Sequence, residues 1–473
     1  MIRKTLLKAT LTLVAAGLGL AVAERSARAC GGCFVPPENN TVVTDHRMIL
    51  AVSQGQTTLY DQIRYQGSPA QFAWVLPITG EAQVGLSADV VFGALDAMTQ
   101  VQVIAPPRNC PPPPRCDSRN ASAAPGSAED SGGGVTVTKR EVVGPYETVQ
   151  LQSANPQALN AWLQSNGFSL PEDVKPVVAA YVKEHFNFLA MKLIPGATVQ
   201  SMRPVRVTTR GPSAVLPLRM VAAGTGAIVG ISLWIVGQGR YEPTNFPVYT
   251  IKQEELAWDW TANASNFKQL RAKKTADTGG RGWELESSLG LDAQQIANAI
   301  KFGFFSGPGG PGGPQGPGRV EDDYTPIPSA DGKPGKTAEE VRDEDLGVLL
   351  GRVFAGNQIR VTRTRADLAH AALTEDLVLA APADQSILGN TRQVTRELNE
   401  PLCPVFDGCS STGEQLPRSD AQRKMGLGPS NQPSSCSAAS GNATSGGALA
   451  AGLGITALAL VRARRNRRRA ASG

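Results

Sequence analysis

The hydrophobic positions of this chain change period several times, and each change marks a predicted element. From Thr41 to Val52, the residues Val42, Val43, Met48, Ile49, Leu50 and Val52 predict a strand, and Leu59, Ile63 and Tyr65 predict a second over 57–65. The run Gln71-Phe72-Ala73-Trp74-Val75-Leu76-Pro77-Ile78 predicts a third, closed by Thr79-Gly80. Polar turns between these runs suggest antiparallel hairpins or a meander. From Ser87 to Thr99, Val90, Val91, Ala94, Leu95 and Met98 recur at helical spacing, with Ser87 as the expected cap. Val101–Ile104 reads as a short strand.

A proline-, serine- and glycine-rich stretch over 106–134 interrupts this order and is expected to be a disordered loop. Strand character resumes over Val135–Val143, followed by helices over Asn155–Asn166, with Pro156 in the first turn, and Val174–His185. Phe186–Leu193, Val205–Thr208 and Pro212–Met220 read as further β segments. Ala227–Val236 is ten residues long and largely apolar, against the roughly 20 a membrane-crossing helix needs, so it predicts a buried strand. Residues 252–304 look helical or irregular, with Trp258, Trp260, Phe267, Leu270 and Trp283 as packing residues. A helix at Val341–Gly351, a strand at Ile359–Thr364 and the runs Ala366–Ala371 and Leu377–Ala380 finish a small unit.

The pattern is that of an α+β protein, with β-rich antiparallel sheet domains and inserted helices. The expected divisions are an N-terminal β-rich domain with a helical insertion over 30–210, a second β/α unit over 211–305, and a Gly/Pro-rich acidic linker over 306–340. A small α/β segment docked on the main body over 341–400 and a flexible stalk over 401–445 follow. Fifty glycines and thirty-four prolines exceed ordinary usage, and the excess falls in these linkers.

The two ends change the picture. Residues 1–29 carry a basic start, an apolar run from Leu6 to Ala23 and Ala27-Arg28-Ala29 before Cys30, the parts of an export signal. At the other end, the apolar segment 446–461 is followed by an Arg-rich tail, 462–473, with Arg462, Arg464, Arg465, Arg467, Arg468 and Arg469. That order reads as a transmembrane helix or sorting segment with its basic side in the cytoplasm. The formal charge of +5 misleads: removing the net +4 of residues 1–29 and six terminal arginines leaves the body near −5. A body of that sign gives no electrostatic case for nucleic acid.

Seven cysteines agree with export into an oxidising compartment. Local pairing, Cys30 with Cys33, Cys110 with Cys116 and Cys403 with Cys409, is the simplest connectivity. Cys436 is left over, just before the apolar tail. The three histidines, His46, His185 and His370, are scattered and supply no adjacent ligand pair, so no metal or cofactor is expected. His46 beside Asp45 and His370 after Asp367 read as surface or satisfied structural residues. No Gly-x-Ser-x-Gly elbow or phosphate-binding loop is present, and no catalytic residue is identified.

Several separated motifs carry a family resemblance: Ala29-Cys30-Gly31-Gly32-Cys33-Phe34, Phe72–Ile78, Val177–Leu193 and Leu216-Pro217-Leu218-Arg219-Met220. In this order they resemble the DUF2330 family of uncharacterised bacterial secreted or envelope proteins, over about residues 29–300 with an extension toward 380. The resemblance implies compartment and general architecture, with no catalytic residues to carry over. Cys436-Ser437, the segment 446–461 and the arginine block resemble the C-terminal sorting signal abundant in myxobacteria (MYXO-CTERM type). That resemblance implies cleavage near Cys436 and sorting or lipid attachment through it. The expected partners are therefore a membrane or lipid anchor, a signal peptidase and a C-terminal sorting protease, and no nucleic acid. The expected function is that of a non-enzymatic, surface-displayed structural, adhesive or binding protein of the cell envelope, facing the periplasm or exterior. The alternative is a secreted hydrolase or peptidase-like enzyme whose residues meet only in three dimensions: a cleft joining His46 or His185 to a buried carboxylate and a nucleophile would favour it.

Overall fold

The computed structural model describes residues 33–34, 42–66, 73–112, 142–166, 168, 172, 174–194, 202–222, 225–302, 320–327, 334–351, 358–408 and 410–427. Its centre is an eight-stranded sheet. The strand order is Val248–Tyr249, Trp283–Asp292, Gln358–Ala369, Thr225–Gly237, Val42–Val52, Gln56–Gln66, Val205–Arg210, Ala82–Leu86. Neighbours are antiparallel except at two places: Val42–Val52 runs parallel to Thr225–Gly237, and Val248–Tyr249 parallel to Trp283–Asp292. A five-stranded sheet lies beside it, ordered Cys33–Phe34, Ala73–Ile78, Asn187–Leu193, Tyr146–Leu151, Val142–Val143 and wholly antiparallel. The mixed α+β class expected from the patterning is what the chain adopts.

Both faces of the large sheet are covered, which explains the near-continuous apolar run of its central strand. Ile49, Trp234, Val236, Ile359 and Val361 pack on one face beneath the helices Asp89–Thr99, Ala293–Phe302 and Ala338–Leu349. Met48, Leu50, Val229, Ile231, Leu233 and Ile235 fill the other face with Trp283, Leu368 and Leu377. On the smaller sheet, Val75, Phe188 and Ala190 meet the helices Pro156–Ser165 and Lys175–Lys183 through Leu159, Leu163, Val178 and Tyr181. Asn155 caps the first of these helices, accepting from Gln157 N and Ala158 N with Pro156 in the first turn.

Several expectations need correction. The large sheet takes strands from both sides of residues 210/211 and 340/341, so the divisions expected there run through one continuous hydrogen-bonded layer. Trp283–Asp292, in a stretch read as helical or irregular, is one of its strands. Ser87 does not cap the helix after it; that helix begins at Asp89 after Ala88 without a side-chain cap, and Ser87 Oγ donates to Asp345 instead. Pro212–Met220 holds a two-residue strand, Val215–Leu216, before a short helix, Leu218–Ala222. The region read as a stalk begins with structure: Leu402–Asp407 and Ser410–Pro417 form a hairpin followed by the helix Arg418–Lys424. The transmembrane-helix and membrane reading is not sustained, because among the described residues no helix is long and apolar enough to cross a membrane. Residues 1–29, residues 113–134 of the expected loop 106–134, Cys436, the segment 446–461 and the arginine block lie outside the described residues.

The cysteine pairing also differs. Cys110 is bonded to Cys403, 293 residues away. This replaces the local pairs Cys110/Cys116 and Cys403/Cys409, because the fold lays the start of the proline-rich loop against the terminal hairpin. Cys30, Cys116 and Cys409 lie outside the described residues, as does the side chain of Cys33.

Candidate functional site

Three places concentrate polar side chains. The first is the ring of His46. In the hairpin of Val42–Val52 with Gln56–Gln66, Met48 lies opposite Asp61 and His46 opposite Ile63. Strand alternation puts His46 and Met48 on one face and turns Asp45 to the other, where it approaches Arg365 at 3.8 Å. His46, read as a surface or satisfied structural residue, is buried and takes Asp61 as its partner. His46 Nδ1 lies 3.2 Å from each Asp61 carboxylate oxygen, and His46 is 1% exposed. A carboxylate accepts, so Nδ1 donates, and in the neutral ring the lone pair is left on Nε2. Nε2 is buried and has no hydrogen-bond partner among the described residues. His46 lines a small cavity with Met48, Trp74, Leu76, Pro217 and Met220. The motifs at 72–78 and 216–220 thus converge on it. Among the described residues lining it there is no Ser, Thr or Cys.

The other two histidines make no such arrangement. His370 is exposed, with Nε2 3.0 Å from Ala222 O. His185 is exposed and adopts φ 64° just beyond the helix Lys175–Lys183. Among the described residues, no group of three or more His, Cys, Asp or Glu is placed to hold a metal ion.

The second place is a pair of buried networks. Asp345, 1% exposed on the helix Ala338–Leu349, accepts from Ser87 Oγ at 2.6 Å and Tyr324 Oη at 3.1 Å. Arg206 lies 3.6 Å from it and also bonds Glu344. Desolvation by burial, outweighing Arg206 and the two hydroxyl donors, pushes the Asp345 carboxyl up to about 6. The sign follows directly. A raised carboxyl contributes stability that is fully present below its unfolded value and is lost as pH rises through its folded value. Wild-type stability from this group is therefore expected to fall between about pH 4 and pH 6 by roughly 2–3 kcal/mol. In Asp345→Asn that fall should be absent, so urea unfolding of the two proteins should show the variant gaining on wild type between about pH 4 and pH 6; a difference independent of pH would contradict the assignment. In the second network, Arg271 donates from Nε to Glu284 and from Nη2 to Glu286, each at 2.5 Å. Arg363 joins Glu286 to Asp96. These contacts tie helices to the sheet.

The third place is open. The parallel pairing of Gln102–Ile104 with Thr391–Gln393 sets residues 105–109 beside 393–397. The disulfide of Cys110 and Cys403 brings the terminal hairpin and its helix across them. Between them lies a cleft of about 760 Å³ lined by Ala105, Pro106, Pro107, Asn109, Gln393, Val394, Thr395, Glu397, Arg418 and Gln422, so apolar surface adjoins its polar groups. Arg418 grips Glu397 with two bonds of 2.6 and 3.2 Å and donates to Arg108 O at 3.2 Å. The bond from Arg418 holds the Glu397 carboxyl below its ordinary value. Trp260 Nε1 donates to Glu397 at 3.1 Å, and the Arg108 guanidinium lies 5.0 Å from the Trp260 ring centre. Sequence reading missed these residues because three distant segments supply them; the proline-rich loop start at Pro106-Pro107 was the one visible signal.

A family model described as an uncharacterized protein conserved in bacteria (DUF2330) matches residues 24–288. No curated protein matches the chain. Among solved structures, the crystal structure of baculovirus P35 is similar at 10% identity, covering 74% of this chain and 99% of that one, with a TM-score of 0.29. At that TM-score the likeness carries no structural argument.

Proposed function

We propose, from the premise that the chain belongs to the DUF2330 family, that it is an exported, non-enzymatic binding protein of the bacterial cell envelope. The cleft beside the Cys110–Cys403 bridge is the observation that carries this reading. Its volume falls within the range of small-molecule sites. Its walls set amide, hydroxyl and carboxylate groups beside the apolar surface of Ala105, Pro106, Pro107 and Val394, and among the described lining residues the one cation, Arg418, is matched by the one anion, Glu397. Such a surface suits a neutral, hydroxyl-rich ligand that both donates and accepts, which points to a saccharide. The bridge supports export, because disulfides persist in oxidising compartments. On this reading, signal peptidase cuts before Cys30, and a sorting protease acts near Cys436 with lipid attachment through it.

The test uses the chain isolated from cell envelopes. Its intact mass should lack residues 1–29, and a full-length chain in the cytosol would defeat the export half of the reading. Titration calorimetry against neutral oligosaccharides should give saturable binding that Gln422→Ala weakens about five- to tenfold, the worth of a hydrogen bond or two. Absence of saccharide binding, or affinity untouched by Gln422→Ala, would overturn the cleft as the site.

A further inference from the structure

We propose that the His46 cavity is a binding site for a soft monovalent metal ion, Cu(I), held by His46 Nε2 and the thioethers of Met48 and Met220. The cavity is small, about 20 Å³, which is room for one atom-sized occupant. Its lining is Met48, Leu59, Trp74, Val75, Leu76, Leu216, Pro217, Met220 and Val221 around the His46–Asp61 pair. A water there would be poorly served, because buried waters ordinarily make about three hydrogen bonds and the described wall offers, besides the ring nitrogen, only the Asp61 carboxylate that His46 Nδ1 already engages. An apolar molecule would leave that buried nitrogen unpartnered, at a desolvation cost. A soft ion resolves both difficulties: imidazole nitrogen and thioether sulfur are its preferred donors.

The surroundings discriminate among ions. A hard divalent cation wants several oxygens, and the one carboxylate on the wall, Asp61, is already engaged with His46 Nδ1. That engagement is the arrangement by which a histidine ligand is fixed in orientation and tautomer, with Nδ1–H on a carboxylate and Nε2 presented to the metal. The donors are positioned by the fold. His46 and Met48 stand two apart on one face of Val42–Val52, and Met220 comes from the helix Leu218–Ala222 across the cavity. Scattered histidines by themselves point to no metal; the thioethers of Met48 and Met220 add the further donors.

The full chain, with the Cys110–Cys403 bridge intact and its remaining thiols alkylated, is titrated with Ag(I) as a redox-inert probe and with Cu(I) against a chromophoric competitor. One equivalent of either ion should bind. Met48→Leu and Met220→Leu preserve volume and should each weaken binding at least tenfold. Met202→Leu, in the neighbouring cavity beyond Asp61, should leave it unchanged. Zn(II) should not compete at equal concentration. The absence of stoichiometric binding, equal loss in Met202→Leu, unchanged affinity in both Met48→Leu and Met220→Leu, or effective competition by Zn(II) would each overturn the site.

Discussion

Replacing Cys403 by serine is expected to lower the unfolding free energy by about 2–5 kcal/mol and to expose the terminal hairpin and helix to protease before the rest of the chain. The first effect follows from the length of the closed loop: the bridge joins residues 293 apart, and a crosslink over so long a loop restricts the unfolded chain strongly. The second follows from how little else holds this unit. Its core is Cys403, Val405 and Ala421, with Cys110, Leu416 and Met425 packed against them. Polar ties to the body include Arg418 with Glu397, Arg418 with Arg108 O and Ser419 N with Glu400. A core of that size cannot offset the entropy of ordering the segment unaided. Limited proteolysis of wild type, reduced wild type and Cys403→Ser should give early cuts within residues 402–427 in the latter two. Matching digestion patterns and unfolding midpoints in all three would contradict this.

The legibility of this chain follows where its apolar residues lie. The strands Val42–Val52 and Thr225–Gly237 could be read because their buried positions carry aliphatic side chains. Trp283–Asp292 could not, because its buried positions include Glu284, Glu286, Ser287 and Ser288, which look like a solvated stretch. They are interior only because arginines from other elements satisfy the two carboxylates. The terminal hairpin was taken for a stalk for a similar reason, its second strand being Ser-Ser-Thr-Gly-Glu-Gln-Leu-Pro. Cysteine spacing suggested local loops, whereas the pairing observed depends on which surfaces the finished fold brings together. His46 was visible, but its partner Asp61 depends on hairpin register, and pleating sends the adjacent Asp45 to the opposite face. Local period is thus readable, while contacts between distant segments are not.

The same buried charges support the sharpest contrast between two neighbouring residues. Glu286 is 3% exposed and bridges Arg271 and Arg363. Arg363 lies 5.0 Å and Arg47 5.3 Å from the ring centre of Trp234, and the Trp234 indole donates to Thr99 at 2.9 Å. Removing the Glu286 carboxylate leaves Arg363, buried against this indole, with Asp96 as its remaining ion pair. Glu286→Ala is therefore expected to cost about 3–5 kcal/mol, the range for breaking a buried pair from one side. Glu284 behaves differently. Burial first, then repulsion from Glu286, outweigh Arg271 and Arg365 and push its carboxyl up to about 7. Near neutral pH it is already partly protonated, so Glu284→Gln, neutral at every pH, should not destabilise the fold there. Its raised value means that its stabilising contribution is complete below about pH 4.5 and is lost as pH rises through 7. Glu284→Gln should accordingly gain on wild type between pH 5 and pH 8. Urea unfolding of the two variants and of Glu286→Leu/Arg363→Met decides the matter. The double variant removes both partners together and should recover part of the loss suffered by Glu286→Ala, since an apolar pair of similar volume avoids an unpaired buried charge. Equal costs at Glu284 and Glu286, or no recovery in the double variant, would show that the guanidinium bridge is not what stabilises this face of the sheet.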